Sequence, residues 1–348
     1  MVASMGNAVG QVHLVGSVAL DSVVEVFETA GAVLGTRLKR IPDGEPGGRR
    51  LWISWQYPLL RANPYLDPVP EAERGSAGSV PLRISDGVKP EDVRFGELGY
   101  AREARASYLD FLAARKAGHI ATDTRFQVCL PTPLAVIGAF CRGADMLAIE
   151  RAYERAMIAE VKAIATAIPH ADLCLQWDVC NEMLMWDGQL ARMIPPEFQD
   201  VQGEILARLG RLAAAVPDDI EMGVHLCYGD LDAKHYVEPR DAGKMVELAN
   251  AFAKASSHPI AYIHMPVPIE RDDDAFYQPL ADLALQPGTE LYLGLVHADG
   301  AVRTRQRMKV AQKYVSNFGI ATECGMGRKR TPDVVRSILH IHAASCHG

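Results

Sequence analysis

The chain has 348 residues, 49% of them hydrophobic and 23% charged, with a formal net charge of −7. It is long enough to bury a large core, and an acidic balance whose only basic run is Arg328-Lys329-Arg330 excludes the footprint of a nucleic-acid or anionic-lipid binder. No apolar run approaches the ~18 residues of a membrane span and no basic-then-apolar leader is visible, so no membrane partner and a cytoplasmic location are expected, with a small molecule as the partner.

Short apolar runs rich in β-branched residues alternate with longer amphipathic stretches. In chain order, strand Val12 to Ser17 precedes helix Asp21 to Leu34, and strand Thr36 to Ile41 precedes helix Tyr100 to Lys116. Strands Phe126 to Leu130, Leu173 to Asp178 and Glu221 to Cys227 are followed by helices Met146 to Ala167, Pro196 to Ala215 and Asp241 to Ala255. Strands Ile260 to Met265, Leu291 to His297 and Gly319 to Cys324 are followed by helices Ala275 to Ala284, Val302 to Asn317 and Pro332 to Ala343. Eight such pairs predict an α/β fold, a (β/α)8 TIM barrel spanning residues 1–348 as a single domain. An open doubly wound sheet is the alternative, weakened because no glycine-rich dinucleotide fingerprint follows the first strand. The stretch 47–95, rich in Pro, Gly and Arg, is too long for an ordinary connection and reads as a rim or lid insertion after the second strand.

In such barrels the chemistry sits at the C-terminal ends of the strands. There the sequence places Asp43-Gly44-Glu45, Asp178 with Glu182 following, His225-Leu226-Cys227, His264, His297 and Glu323-Cys324. Side chains at i and i+2 of a strand share a face, so His225 and Cys227 converge on one point. Seven cysteines, an odd number in a large chain, read as core residues, ligands or nucleophiles more readily than as disulfides. An isolated H-x-C is more often core packing than a ligand pair. Independent strand-end Cys324 and His264 shift the balance toward a zinc site of His225, Cys227, His264 and Cys324.

Several of these segments resemble the catalytic C-terminal barrel of cobalamin-independent methionine synthase, within a superfamily that also holds uroporphyrinogen decarboxylase. His225-Leu226-Cys227-Tyr228 resembles that family's H-x-C-Y zinc motif, and Glu323-Cys324-Gly325-Met326-Gly327-Arg328 its D-C-G-x-x-x-R stretch. Val15-Gly16-Ser17, Gly44-Glu45-Pro46 and Gln176-Trp177-Asp178 are similar to its G-S-F, G-E and Q-x-D-E-P segments. The resemblance implies that Ser17, Glu45 and Asp178 bind substrate, the two carboxylates holding the amino group of a thiol amino acid, and that His297 transfers a proton. Departures are evident. The family's strand-six zinc-binding glutamate is replaced by His264, leaving His264, Glu270 or Glu323 as the fourth ligand, and the second carboxylate of D-E-P is lost in Asp178-Val179-Cys180. Pro131-Thr132-Pro133 echoes the folate pattern only loosely.

The expected function is a zinc-dependent (Zn2+) transferase that activates a substrate thiol for methyl or alkyl transfer, with Glu45, Asp178 and His297 as catalytic groups. Arg49, Arg50 and Trp52 of the insertion are expected to hold the alkyl donor. The alternative is a zinc-dependent lyase or hydrolase on the same barrel, or a decarboxylase-like member of the superfamily.

Overall fold

The computed structural model describes residues 6–71, 79–190, 194–195, 197–230 and 234–346. It contains strands β1 (Val12–His13), β2 (Arg40–Pro42), β3 (Leu66–Pro68), β4 (Leu82–Ile84), β5 (Arg125–Pro131) and β6 (Leu173–Val179). They are followed by β7 (Glu221–Leu226), β8 (Ile260–Pro266), β9 (Glu290–Val296) and β10 (Gly319–Thr322). The helices are α1 (Val23–Leu34), α2 (Tyr57–Arg61), α3 (Tyr100–Lys116), α4 (Pro133–Phe140), α5 (Met146–Ala167) and α6 (Asn181–Trp186). Then come α7 (Val201–Ala214), α8 (Gly243–Ala255), α9 (Asp274–Tyr277), α10 (Ala301–Ala311) and α11 (Pro332–Ser345).

Eight strands pair in parallel in the order β1-β10-β9-β8-β7-β6-β5-β2. A further parallel bridge between Val12 and Leu38 draws the two ends together, so the sheet is a nearly closed (β/α)8 barrel. Helices cover the outer face, which is why the strands read as nearly continuous apolar runs; all seven residues of β6 are buried. The lumen carries a network of buried polar side chains. Gln176 Oε1 lies 3.0 Å from His13 Nε2 and accepts from Tyr262 Oη at 2.9 Å, while Gln176 Nε2 donates to Val15 O at 2.6 Å. At the N-terminal end, buried Arg40 joins Glu221 at 2.6 Å and Glu290 at 2.8 Å, and Lys39 also pairs with Glu290.

The expected elements are present with shifted bounds. The first strand leaves the ladder after His13, and Val18 then bridges Met326, which carries Ser17 to the barrel mouth. Thr36, expected in a strand, lies in a 3-10 turn, Gly35–Arg37. Pro279 interrupts the helix expected over 275–284, leaving α9 and a 3-10 segment, Gln278–Asp282. The helix expected over 302–317 ends at Ala311. Pro196, the expected start of α7, lies outside the described residues, as do 72–78 of the 47–95 insertion.

That insertion carries α2 and the antiparallel pair β3–β4. It is tied down by Gln56 donating to Leu98 O at 3.0 Å, Tyr153 Oη donating to Gln56 at 2.9 Å, and a bridge from Leu82 to Cys141. Among the described residues no helix is long and apolar enough to cross a membrane.

Candidate active site

Three parallel strands and the turn after β10 converge at the C-terminal mouth. Asp178 of β6, His225 of β7 and His264 of β8 are register partners in sequence, Asp178 opposite His225 and His225 opposite His264. Cys227 follows β7, its amide donating to Val179 O at 3.0 Å, and Cys324 follows β10. Cys324 reaches the mouth because Gly325 passes against Ser17; a Cβ at 325 would collide with the serine hydroxyl.

One imidazole nitrogen of His225 and the sulfurs of Cys227 and Cys324 all lie within 4.8 Å of one another. The two sulfurs are 3.7 Å apart, and Cys324 Sγ is 3.6 Å from His225 Nε2. Two sulfurs and an imidazole nitrogen at the floor of a cavity form the soft donor set that suits a tetrahedral zinc ion with one position left for a further ligand. Hydrogen bonding between thiols and burial hold both cysteines well above the usual range, Cys227 chiefly through Cys180 and Cys324 chiefly through Cys227. A divalent cation at that point would reverse this and favour the thiolates.

His264, expected as a ligand, is placed otherwise. Its Nδ1 is 2.7 Å from His225 Nδ1 and its Nε2 is 3.0 Å from Thr322 O, so both ring nitrogens are engaged away from the sulfurs. Complete burial pushes its pKa down to about 3, and the ring is neutral. The other expected sources of a fourth ligand also point elsewhere. Glu270 is exposed, and Glu323 is turned to His235 at 3.6 Å, His297 at 3.7 Å and Arg330 at 3.6 Å.

Glu45, Asp178, Ser17, Trp52 and Arg328 line the same cavity as the His225, Cys227 and Cys324 cluster. Asp178 Oδ1 accepts from Gln176 at 2.8 Å and Oδ2 from the Trp52 indole at 3.2 Å. Burial outweighs these hydrogen bonds and raises Asp178 to about 7. Glu45 is raised to about 8 by burial and then by the neighbouring charges of Asp178 and Asp43, against the pull of Arg49 and Arg328. At neutral pH the mouth therefore holds two carboxyl groups in balance with their protons, the condition of general acid–base chemistry.

Other expected site residues are not brought in. His297 does not line the cavity: its Nε2 contacts Val267 O at 3.0 Å and burial lowers it to about 3, so at neutral pH it has no proton to offer the cavity. Arg50 donates to Leu20 O at 2.7 Å and fastens the insertion to the chain before α1. Arg49 pairs with Asp43 at 2.8 Å and Glu103 at 3.4 Å and faces a second chamber that shares only Glu45 and Trp52 with the first. Two nearby residues were not assigned to the site from the sequence. Arg328 stands 5.8 Å from the centre of the Trp52 ring on the cavity wall, and buried Cys180, which follows β6 as Cys227 follows β7, hydrogen-bonds to the Cys227 thiol.

No protein-family model and no curated protein matches the sequence. Among solved structures, the chain is similar to a B12-independent methionine synthase from Shewanella sp. W3-18-1 in complex with selenomethionine, with TM-score 0.50, 18% identity, and 81% of this chain and 76% of that one covered. It is also similar to a Listeria monocytogenes structure assigned as a vitamin-B12-independent methionine synthase, with TM-score 0.54, 14% identity, and 97% and 98% covered. At these identities the likeness establishes a shared barrel fold.

Proposed function

We propose that the chain is a zinc-dependent transferase that activates the thiol of a small substrate and moves a methyl or larger alkyl group onto it. The observation that carries this reading is the meeting of His225, Cys227 and Cys324 with Glu45 and Asp178 in one cavity. The fold shared with two structures described as methionine synthases supports it. Zinc held by His225, Cys227 and Cys324 would supply a cation that lowers the pKa of a substrate thiol from ~8.5 while leaving the sulfur nucleophilic.

The protein's own groups do the rest. Asp178, fixed by Gln176 and Trp52, and Glu45 opposite it accept hydrogen bonds from a cationic group on the thiol substrate. Arg328 offers the complementary charge for an anionic group.

The test is a titration of cobalt-substituted protein with 2-mercaptoethylamine and with 2-mercaptoethanol. Both are expected to change the metal spectrum, with release of about one proton. Glu45→Gln and Asp178→Asn should each weaken the aminothiol by roughly 10- to 100-fold, the value of ~1.5–3 kcal/mol for a charged hydrogen bond, and leave the uncharged thiol and the metal content unchanged. A metal spectrum indifferent to thiols, with zinc-loaded protein turning over a thiol-free substrate, would replace this reading with the lyase or hydrolase one.

A further inference from the structure

His264 occupies the strand position where the resemblance places a zinc-binding glutamate, yet its ring is engaged elsewhere. Thr322 O can only accept, so the His264 Nε2 at 3.0 Å carries the hydrogen of that contact. A neutral ring has one N–H, which leaves His264 Nδ1 with its lone pair facing His225 Nδ1 at 2.7 Å. His225 Nδ1 must then be the donor, and the lone pair of His225 falls on Nε2, the nitrogen 3.6 Å from Cys324 Sγ. The opposite arrangement would set the lone pair of His264 Nε2 against the lone pairs of a carbonyl oxygen 3.0 Å away. His264 is fully buried, and its ring centre stands 4.8 Å from that of His225 on the paired strand, so neither ring can turn away without breaking both contacts.

We propose that His264 is a positioning residue, the middle of a Thr322–His264–His225 relay that fixes His225 as the Nδ1–H tautomer and presents Nε2 to the metal. The inference rests on the metal-centre reading above for its purpose, but the relay is a property of the protein without metal. It makes β10 responsible for the site twice: Cys324 supplies a sulfur, and Thr322, whose hydroxyl donates to Cys324 O at 2.7 Å, anchors the imidazole through His264. It also explains how a histidine can replace a ligand glutamate: the position contributes orientation, and the protein ligands number three.

The test combines a tautomer measurement with two variants. Long-range 1H–15N correlation on metal-free protein labelled with 15N-histidine should show His225 with its proton on Nδ1. His264→Leu should weaken zinc binding by roughly 10- to 100-fold, the usual cost of losing an outer-sphere partner. His264→Gln, whose amide can accept from His225 and donate to Thr322, should restore it. A His225 Nε2–H tautomer in the wild-type protein overturns the relay, as does a folded His264→Leu variant that binds zinc as tightly as wild type. If His264→Leu does not fold, the wild-type tautomer decides. If the tautomer is Nδ1–H but the wild-type protein takes up no zinc, the relay stands and the metal-centre reading falls.

Discussion

Cys227 and Cys324 differ from the other five cysteines in facing an imidazole nitrogen across a cavity, and their replacement separates a ligand from a packing residue. Cys227→Ser or Cys324→Ser should lower zinc affinity by well over ~10-fold and abolish activity in parallel, measured by metal analysis after dialysis against a weak chelator, because a neutral hydroxyl is a far poorer ligand than a thiolate. Glu45 and Asp178 lead to a different expectation, in stability. Both have folded-state pKa values raised, to about 8 and about 7, above ordinary carboxyl values near 4, so between these limits the folded state binds more protons than the unfolded one. The slope of unfolding free energy with pH is then negative: stability contributed by the protonated carboxyls is complete below pH ~4 and lost as pH rises through about 7 to 8. Glu45→Gln should therefore flatten the decline between pH 6 and 9 and stabilise the metal-free protein by on the order of 1 kcal/mol at pH 9, read from urea unfolding at each pH. That His225, Cys227 and Cys324 would meet Glu45 and Asp178 in one cavity was legible in the sequence because alternation along a strand and position at its end are one-dimensional facts. A residue near the mouth can still spend its polar atoms on a neighbour, as His264, His297, Arg49 and Arg50 do, which only the third dimension reveals.

Among the elements, the helices α3 and α5 coincide with their expected bounds since each carries a clear polar and apolar face over many turns. α4 and α6 were not anticipated for the converse reason: nearly all of Pro133–Phe140 and most of Asn181–Trp186 are buried, so neither shows a polar stripe. The β3–β4 pair was missed as two three-residue strands, one ending in Pro68. The β7–β8 pairing carries the site and has one point of close approach. The register shifts between Met222 and Gly223, and any Cβ at 223 would run into the Tyr262 ring, whose hydroxyl donates to Gln176. Gly223→Ala should cost about 1–3 kcal/mol by overpacking and, because Gln176 orients Asp178, should also weaken aminothiol binding. Thermal unfolding together with the thiol titration checks both; loss of stability alone would show that the Gln176 contact does not reach the site.

Across the whole molecule the two ends of the barrel differ: the candidate site lies at the C-terminal mouth and an ion-pair cluster at the N-terminal floor, the end that serves stability in such barrels. The floor is closed by Arg40, 5% exposed, with Glu221, Glu290 and Lys39 around it. Arg40→Met removes the partner that Glu221 and Glu290 share and leaves them to Arg125 and Lys39, so it should destabilise by about 1–3 kcal/mol while zinc content and thiol response remain those of wild type. Calorimetry with metal analysis tests this, and a fall in metal content of the folded variant would mean the two ends are coupled. The alternation of eight strands and eight helices made the barrel readable from the chain, whereas the shape of the insertion was not, because 47–95 has no period to read.

Three non-glycine residues among those described have a positive φ: Glu45, Trp52 and Lys329, at 52°, 56° and 52°. Two of them line the cavity and the third follows Arg328, which also does. Each such backbone costs on the order of 1–3 kcal/mol that glycine would not incur, and Glu45 adds the burden of a carboxyl group enclosed beside another. Selection for endurance alone would place glycine at 45 and erase the charge. Side chains held in disfavoured backbone thus gather at the mouth, where the proposed site would use them at the expense of how long the chain itself survives.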